Sequence, residues 1–314
     1  MSDDDCENDT YCNCQVADGG DGGACAQQGL CVAWTKPPRG QFNDKCHTPG
    51  FAPAEFKAPQ LHCNWKADAG NDWVVMTPVV ADLDNDGTPE IVFGPQGQGT
   101  GMRLAAIRPS DCSVIFDKPV NLQVYSQIAV ADLDGDKVPE IVGVGNDKNV
   151  RVFDNQGNLL ATSPTPYTFS QSVFDCSGPA IADVDGVAPA EIVVAGQVLR
   201  YTKGQASLTV LFTQPAIPGT WGTLTAVADM DGDHSPEIIT GRSVLDGVTG
   251  ADKTPSNLKA YTGPGGYPAI ADFNGDSKPD IVLVQSMAGS QKVSIFDYTA
   301  NAVIFGPYAV AGGG

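Results

Sequence analysis

Basic side chains are scarce in this 314-residue chain. It has 18 Lys and Arg against 37 Asp and Glu, so its formal net charge is −19. Nucleic acids and anionic membrane surfaces are bound through basic patches that displace counterions, and the sequence contains no such patch. We therefore expect neither a nucleic acid nor a membrane surface among its partners.

Long apolar runs are missing as well. No segment approaches the roughly 18 apolar residues that a membrane-spanning helix needs. The first residues, Met1–Asp5, are acidic and lack the basic and apolar regions of a secretory signal. Together with the cysteine pattern described below, this favours a secreted or cell-surface protein whose signal has been removed or lies outside this chain.

Familiar catalytic motifs are absent from the sequence. The three His are His47, His62 and His234, and there is no Gly-x-Ser-x-Gly elbow, His-Glu-x-x-His motif or P-loop. We therefore predict a protein that is not an enzyme, with no catalytic residues and no organic cofactor.

Cysteine, in contrast, is plentiful. Seven of the nine Cys lie within the first 63 residues, as is typical of disulfides formed in an oxidising compartment. A zinc site is the alternative, but Cys12-x-Cys14 has no second short-spaced pair and His47 adjoins only Cys46. Residues 1–50 have too few apolar side chains for a core, so we predict a small irregular head held by disulfides. The odd number of Cys leaves one thiol free or paired with another chain.

An acidic pattern of nine residues recurs five times. The first copy reads Asp82-Leu83-Asp84-Asn85-Asp86-Gly87-Thr88-Pro89-Glu90. The first Asp of each copy falls at 82, 132, 183, 229 and 272, so successive copies begin 43 to 51 residues apart. A period of this length indicates an array of similar structural units.

The pattern suits a hard cation. Ca²⁺ takes about six to eight oxygen ligands, and a tight loop can supply side chains from positions 1, 3 and 5, a carbonyl from position 7 and a carboxylate from position 9. Gly at position 4 or 6 allows the positive φ that such a turn needs, and Pro at position 8 stiffens its exit. The candidate metal ligands are Asp82, Asp84, Asp86, Thr88 and Glu90; Asp132, Asp134, Asp136, Val138 and Glu140; Asp183, Asp185 and Glu191; Asp229, Asp231, Asp233, Ser235 and Glu237; and Asp272, Asn274, Asp276, Lys278 and Asp280.

We expect about four to five Ca²⁺ ions per chain on this basis. In the third copy Val187 stands at ligand position 5, so that site should be weaker or empty. The competing interpretation is a set of acidic surface turns, because Asp and Gly favour turns in any case. Repetition in register favours the cation, since the crowded carboxylates would repel one another without it. The loops hold about half of the 37 acidic residues, so much of the acidity belongs to these loops rather than to a partner surface.

Short apolar strands flank the loops. Pro78–Ala81 precedes the first loop and Ile91–Phe93 follows it, and a hairpin such as residues 149–161 completes a unit. Four short strands per repeat match one blade of a β-propeller. A calcium-binding β-helix would need repeats of about nine residues, and an EF-hand would need flanking helices.

The predicted fold class is therefore all-β, a β-propeller of four-stranded blades preceded by the disulfide-rich head. We expect about six blades, within a range of about five to seven. The predicted boundaries are a head at 1–50, a linker with closing strands at 51–75, and a propeller at 76–314 with repeats at 76–125, 126–176, 177–222, 223–265 and 266–306 and the start of a further repeat at 307–314.

The five segments resemble the FG-GAP or VCBS-type calcium-loop repeats of the integrin α-subunit propeller and of many secreted bacterial proteins and lectins. The resemblance covers residues 76–306, with parts of the name-giving motifs at Phe93-Gly94, Phe305-Gly306 and Ser177-Gly178-Pro179-Ala180. It implies that positions 1, 3, 5, 7 and 9 of each loop bind Ca²⁺, position 7 through its carbonyl. It also implies that the ions stiffen the blades and usually do no chemistry.

The function that we predict is an extracellular, calcium-stabilised propeller that serves for binding, adhesion or assembly. Its partner would be an extracellular protein, a glycan or another copy of the chain, and the fold alone does not choose among them. A subunit of an extracellular filament is an alternative that the odd Cys and the unfinished last repeat suggest.

Two further alternatives each predict a pattern that the sequence should contain. A calcium-dependent lectin or carbohydrate-active accessory domain would repeat an aromatic and polar set in each blade, and no such set recurs. An enzyme would need acids outside the loops, gathered in one pocket. The Trp that could stack on a sugar are Trp34, Trp65, Trp73 and Trp221, and the acids outside the loops include Glu55, Asp111, Asp154, Asp175, Asp246 and Asp297.

Overall fold

The computed structural model of the chain describes residues 10–13, 30–33, 60–66, 73–97, 101–123, 125–167, 177–214, 224–262, 267–285 and 292–309. The chain divides into two compact units, Met1–Gln60 and Leu61–Gly314. In the first unit, strands β1 (Thr10–Asn13) and β2 (Leu30–Ala33) pair in antiparallel fashion. The rest of the predicted head lies outside the described residues.

The second unit is all-β, as predicted, and its described residues form five antiparallel sheets in chain order. In every sheet, the first strand is joined to the second by one of the acidic loops. The first sheet contains β4 (Val79–Ala81), β5 (Glu90–Phe93), β7 (Gly101–Ile107) and β8 (Val114–Pro119), and it is extended by β3 (Trp73–Val74) and β6 (Pro95–Gly97). The second contains β9 (Ala129–Ala131), β10 (Glu140–Val144), β11 (Val150–Phe153) and β12 (Leu159–Thr162).

The remaining three sheets repeat this order of strands. The third contains β13 (Ala180–Ala182), β14 (Glu191–Val194), β15 (Gln197–Arg200) and β16 (Thr209–Thr213). The fourth contains β17 (Thr225–Ala228), β18 (Glu237–Thr240) and β19 (Ser243–Asp246), and the fifth contains β20 (Tyr267–Ala271), β21 (Asp280–Gln285), β22 (Lys292–Asp297) and β23 (Ala302–Ala309).

The fourth sheet departs from the predicted plan of four strands. After β19, Asp252 forms a single bridge to Leu245, and a one-turn helix α1 (Ser256–Ala260) follows. Pro255 stands at the start of this helix, where its missing N–H is tolerated, whereas a paired strand would need that donor.

Neighbouring sheets share hydrophobic cores. One core joins the first sheet to the second, another the second to the third, and two more join the third to the fourth and the fourth to the fifth. The second strands of the inner sheets, such as β10 and β14, are therefore buried on both faces. Their near-continuous apolar sequence follows from this double burial.

One disulfide lies in the described part of the chain, and the sequence did not predict its pairing. Cys63 is bonded to Cys112, next to Trp65, whose ring packs edge-on against Phe93 at a centroid distance of 4.8 Å. The segment 61–66 is thus tied to the face of the first sheet that its neighbour does not cover. In the part of the chain described, no helix is long and apolar enough to cross a membrane.

Replacing both Cys63 and Cys112 by Ser is expected to lower the free energy of unfolding by roughly 2–4 kcal/mol. The bond joins residues 49 positions apart, so its loss frees a long loop in the unfolded chain. Urea unfolding of the double variant and the wild type measures the difference. A change below about 0.5 kcal/mol would contradict this account.

Candidate metal centres

The acidic loops share a backbone conformation that contains two left-handed residues. In the first, second, fourth and fifth loops the residues at positions 4 and 6 have positive φ, between 61° and 88°. The sequence predicted such a residue at position 4 or 6, and the structure shows both. These pairs are Asn85 and Gly87, Gly135 and Lys137, Gly232 and His234, and Gly275 and Ser277.

The carboxylate at position 1 holds this turn together. In the second loop, Asp132 accepts hydrogen bonds from the N–H groups of Gly135 at 2.7 Å and of Lys137 at 2.8 Å. The corresponding Asp of the fourth and fifth loops accepts equivalent bonds, and Asp82 of the first loop accepts bonds from the N–H groups of Asp86 and Gly87. At Asp229, burial acts to raise the pKa, but the bonds from Gly232 and His234 outweigh it and lower the pKa. Asp229 is thus stabilised in its charged form.

The acid at position 9 is buried at the start of the second strand. One of its oxygens accepts a hydrogen bond from the N–H of the residue at position 2, at 2.8–3.0 Å in all five loops. The residue at position 2 is itself buried in four loops, whereas Phe273 is 51% exposed. Each loop is therefore closed by one carboxylate oxygen, and the other oxygen remains for a cation. The acids concerned are Glu90, Glu140, Glu191, Glu237 and Asp280.

The residues at position 7 close a smaller turn. Their N–H groups donate to the side-chain oxygen at position 5 at 2.7–2.8 Å in four loops, and the donors are Thr88, Val138, Ser235 and Lys278. The predicted role of their carbonyls as metal ligands stays a prediction.

Carboxylates converge in four of the loops. In each of these, three acids offer ligand atoms that lie within 4.8 Å of one another. The sets are Asp82, Asp84 and Asp86; Asp132, Asp134 and Asp136; Asp183, Asp185 and Glu191; and Asp229, Asp231 and Glu237. Oxygen ligands at this separation suit a divalent cation such as Ca²⁺.

The fifth loop has Asn274 at position 3 and gains a carboxylate from outside the loop. Asp297, at the end of β22, pairs in register with Asp280 and accepts a hydrogen bond from the amide of Asn274 at 2.9 Å. Asp280 is fully buried, and its Oδ1 has no hydrogen-bond partner. A buried carboxylate oxygen without a donor is costly, and a bound cation would remove that cost.

The electrostatics of the second loop also favour a cation. Burial raises the pKa of Glu140 to about 7, and the charges of Asp134 and Asp136 act in the same direction. A divalent ion at this place would compensate both the desolvation and the repulsion, and it would keep Glu140 ionised.

Three basic side chains reach these loops, and the sequence analysis missed them. Lys203, which follows β15 in the third sheet, lies 3.2 Å from Asp134 and 2.5 Å from Asp136 of the second loop. Lys253 lies within 4 Å of four carboxylates, the nearest being Glu237 at 2.6 Å. Arg200 bonds to the third loop. The number of residues between each basic side chain and the loop that it contacts differs from loop to loop, so no sequence pattern identifies these contacts.

The Trp, His and acidic residues considered as alternative site residues have other surroundings. Trp65 packs in a small core with Phe93, and Trp73 is exposed on β3. His234 is solvent-exposed. Four of the acids considered outside the loops lie in the described residues, and each accepts hydrogen bonds within a turn: Asp111 from Ser113, Asp154 from Gln156 and Asn158, Asp246 from Thr249, and Asp297 from Ala300.

Replacing the Asp at position 1 by Ala is expected to have unequal effects in Ca²⁺-containing buffer. Asp132→Ala and Asp229→Ala each remove an acceptor of several N–H groups and should cost roughly 2–4 kcal/mol of unfolding free energy. Among the described residues, no hydrogen bond to the Asp183 side chain is seen, so Asp183→Ala should cost below about 1 kcal/mol. Thermal unfolding of the three variants tests this ranking, which equal losses would refute.

Comparison with known proteins supports the repeat assignment. Residues 132–194, which include the second and third loops, match the model of the FG-GAP-like repeat family. No curated protein matches the sequence of the chain.

Solved structures show the fold. The V. cholerae biofilm matrix protein Bap1 is similar with a TM-score of 0.61 and 22% identity, covering 78% of this chain and 41% of Bap1. The exotype rhamnogalacturonan lyase YesX is similar with a TM-score of 0.51 and 18% identity, covering 76% of this chain and 49% of YesX. The chain thus spans less than half the length of either protein, and at these identities the likeness concerns the fold alone.

Proposed function

We propose that this chain is an extracellular binding and assembly module, secreted or displayed at the cell surface, whose sheets are stiffened by Ca²⁺. The observation that carries the proposal is the shared loop geometry. In the first, second, fourth and fifth loops the carboxylate at position 1 accepts backbone hydrogen bonds and the carboxylate at position 9 is buried. In the first, second and fourth of these, three acids also offer ligand atoms within 4.8 Å of one another. The ions would be held by the loops that begin at Asp82, Asp132, Asp229 and Asp272.

The role of the cation in this proposal is structural. Each loop joins the first two strands of a sheet, and the sheets pack on one another in chain order. A cation that neutralises the loop would fix the angle at which the second strand leaves it, and it would lower the charge of the folded chain. Outside the loops, Asp111 and Asp154 each serve a turn of their own, Asp297 also bonds to Asn274 of the fifth loop, and Asp246 lies 3.4 Å from Lys253, so we propose none of these four as a general acid or base.

An extracellular setting is supported by the Cys63–Cys112 disulfide and by the acidic composition. The FG-GAP-like repeat and the fold shared with a biofilm matrix protein favour contact with extracellular material. The partner that we propose is an extracellular protein, a glycan or a second copy of the chain.

Sedimentation velocity and glycan retention test this function. The chain at millimolar Ca²⁺ should either self-associate or be retained by immobilised extracellular polysaccharide. A variant that carries both Asp132→Ala and Asp229→Ala, assayed at a temperature where it remains folded, serves as the control for calcium dependence. Absence of both kinds of association would exclude a glycan and a second copy of the chain as partners. Release of shorter chains from rhamnogalacturonan would instead favour an enzyme.

A further inference from the structure

The third acidic loop differs from the other four in its backbone as well as in its ligands. Val187 stands at position 5, and Pro189 stands at position 7, whereas the other loops have Pro at position 8. Gly186 at position 4 has positive φ, but Ala188 at position 6 does not. The turn that surrounds the position-1 carboxylate with N–H groups in the other loops is therefore not formed around Asp183.

A side chain of the same sheet supplies positive charge to this loop. Arg200, at the end of β15, donates from Nη2 to Asp185 Oδ2 at 2.7 Å and to Glu191 Oε1 at 2.6 Å. Its Nε donates to the same Glu191 oxygen at 3.0 Å. Arg200 thus binds the acids at positions 3 and 9, with the second oxygen of Glu191 bonded to the N–H of Val184.

We propose that Arg200 is a built-in counter-ion that takes the place of the metal in the third loop, so that this loop binds no Ca²⁺. The proposal rests on the calcium function proposed for the other loops. A calcium ion would need these same carboxylate oxygens at about 2.3–2.6 Å. Arg200 Nη2 already lies between them, 2.7 Å from Asp185 Oδ2 and 2.6 Å from Glu191 Oε1. The ion and the guanidinium therefore exclude each other.

The choice of Arg matters in comparison with Lys253 of the fourth loop. Arg has a planar fork that binds two carboxylates at once, and it is always charged. Lys has a compact ammonium on a flexible stem, so it can withdraw from a loop that keeps Asp at position 5, as the fourth loop does with Asp233. The third loop has neither a full ligand set nor a counter-ion that withdraws easily.

A consequence follows for the whole array. The third sheet shares one core with the second sheet and another with the fourth. A sheet whose loop carries its own cation keeps its geometry at low calcium, when the loops of its neighbours lose their ions. The third sheet then serves as a calcium-independent centre on which the neighbouring sheets remain anchored.

The number of Ca²⁺ ions bound by the full chain tests whether the third loop excludes calcium. Isothermal titration of EGTA-stripped protein should give the same number of Ca²⁺ for Asp183→Asn as for the wild type, and one fewer for Asp132→Asn. If Asp183→Asn also loses one ion, the third loop binds calcium and the proposal fails.

A loop exchange tests whether Arg200 itself is responsible. Residues 187–190 are replaced by Asp-Lys-Val-Pro, the sequence of residues 136–139 in the second loop, with and without Arg200→Ala. We expect one additional Ca²⁺ only when Arg200 is removed. A gain with Arg200 in place, or no gain in either folded variant, would overturn its role as the excluding group.

Stability without metal separates this proposal from the calcium function. In EGTA, Arg200→Ala should lower the unfolding temperature by at least about 5 °C, because Glu191 is fully buried and loses its cation. Arg108→Ala is the matched control, since Arg108 follows the third strand of the first sheet and is exposed. Equal effects of the two variants would refute the counter-ion. If the wild type binds no calcium at all, the proposed function fails, and this comparison still decides the role of Arg200.

Discussion

Removal of Ca²⁺ by EGTA is expected to lower the unfolding temperature of this chain by roughly 15–40 °C. A ligand present at 100 times its dissociation constant stabilises the folded state by about 2.7 kcal/mol for each site. For a unit of this size, about 1 kcal/mol shifts the unfolding temperature by about 2–4 °C. Three or four loops that each hold an ion therefore predict a large shift, which thermal unfolding followed by circular dichroism measures.

Two controls make this measurement specific. Adding Ca²⁺ back in excess over EGTA should restore the unfolding temperature, whereas Mg²⁺ should restore less, because it demands a smaller octahedral site and keeps its water. A metal count by mass spectrometry should find three or four Ca²⁺ ions per chain, because the third of the five loops is expected to be empty. No bound calcium and no shift would refute the calcium interpretation of all the loops.

The repeat and its local conformation could be read from the sequence for a physical reason. A loop that must place side chains 1, 3 and 5 on one centre needs left-handed residues between them, and Gly135 and Gly232 mark these positions directly. The apolar strands on either side are equally local signals. All-β architecture and one sheet for each acidic loop follow from short-range patterns.

The counter-ions could not be read in this way. Lys203 contacts Asp136 across 67 positions of sequence and from a different sheet. The contact exists because two sheets pack side by side, and the packing is set by the cores rather than by the loops. The disulfide partner of Cys63 was hidden for the same reason, since the bond to Cys112 depends on segment 61–66 lying against the first sheet.

The irregular fourth sheet shows the limit of the repeat argument. A four-stranded unit was expected from its neighbours, yet Pro255 and the polar residues around it favour a helical turn after β19. This turn places Leu258 in the core shared with the fifth sheet. The core between the fourth and fifth sheets is thus filled by a helical residue instead of a fourth strand. The spacing of the repeats in the sequence does not predict this exchange.

Neutralising the acid at position 9 is expected to have opposite effects in two loops when calcium is absent. Glu140 and Glu237 occupy the same position, and both bond through one oxygen to the N–H of the residue at position 2. Gln preserves that acceptor and removes the charge. The two loops differ in what faces the second oxygen, because Lys253 lies 2.6 Å from Glu237 and the second loop places its Lys203 on Asp134 and Asp136 instead.

In EGTA at pH 8, Glu140→Gln should leave the unfolding temperature unchanged or raise it. The carboxyl of Glu140 has its pKa raised to about 7 by burial, so it is charged in both states at pH 8 and its charge disfavours folding. Glu237→Gln should lower the unfolding free energy by roughly 1.5–3 kcal/mol, because Lys253 loses its shortest charged hydrogen bond. Thermal unfolding of both variants and the wild type measures whether each substitution raises or lowers the unfolding temperature.

Calcium reverses the comparison for Glu140→Gln. With the ion bound, the charge of Glu140 becomes favourable, so the variant should gain less stability from Ca²⁺ than the wild type does and should bind one ion fewer or more weakly. A loss of stability in EGTA for both variants would mean that Glu140 already has a cation partner within the protein. If Glu140→Gln does not destabilise the protein in EGTA and Glu237→Gln does, a charge at position 9 stabilises the fold only when a cation lies next to it. That cation can be a metal ion or a basic side chain.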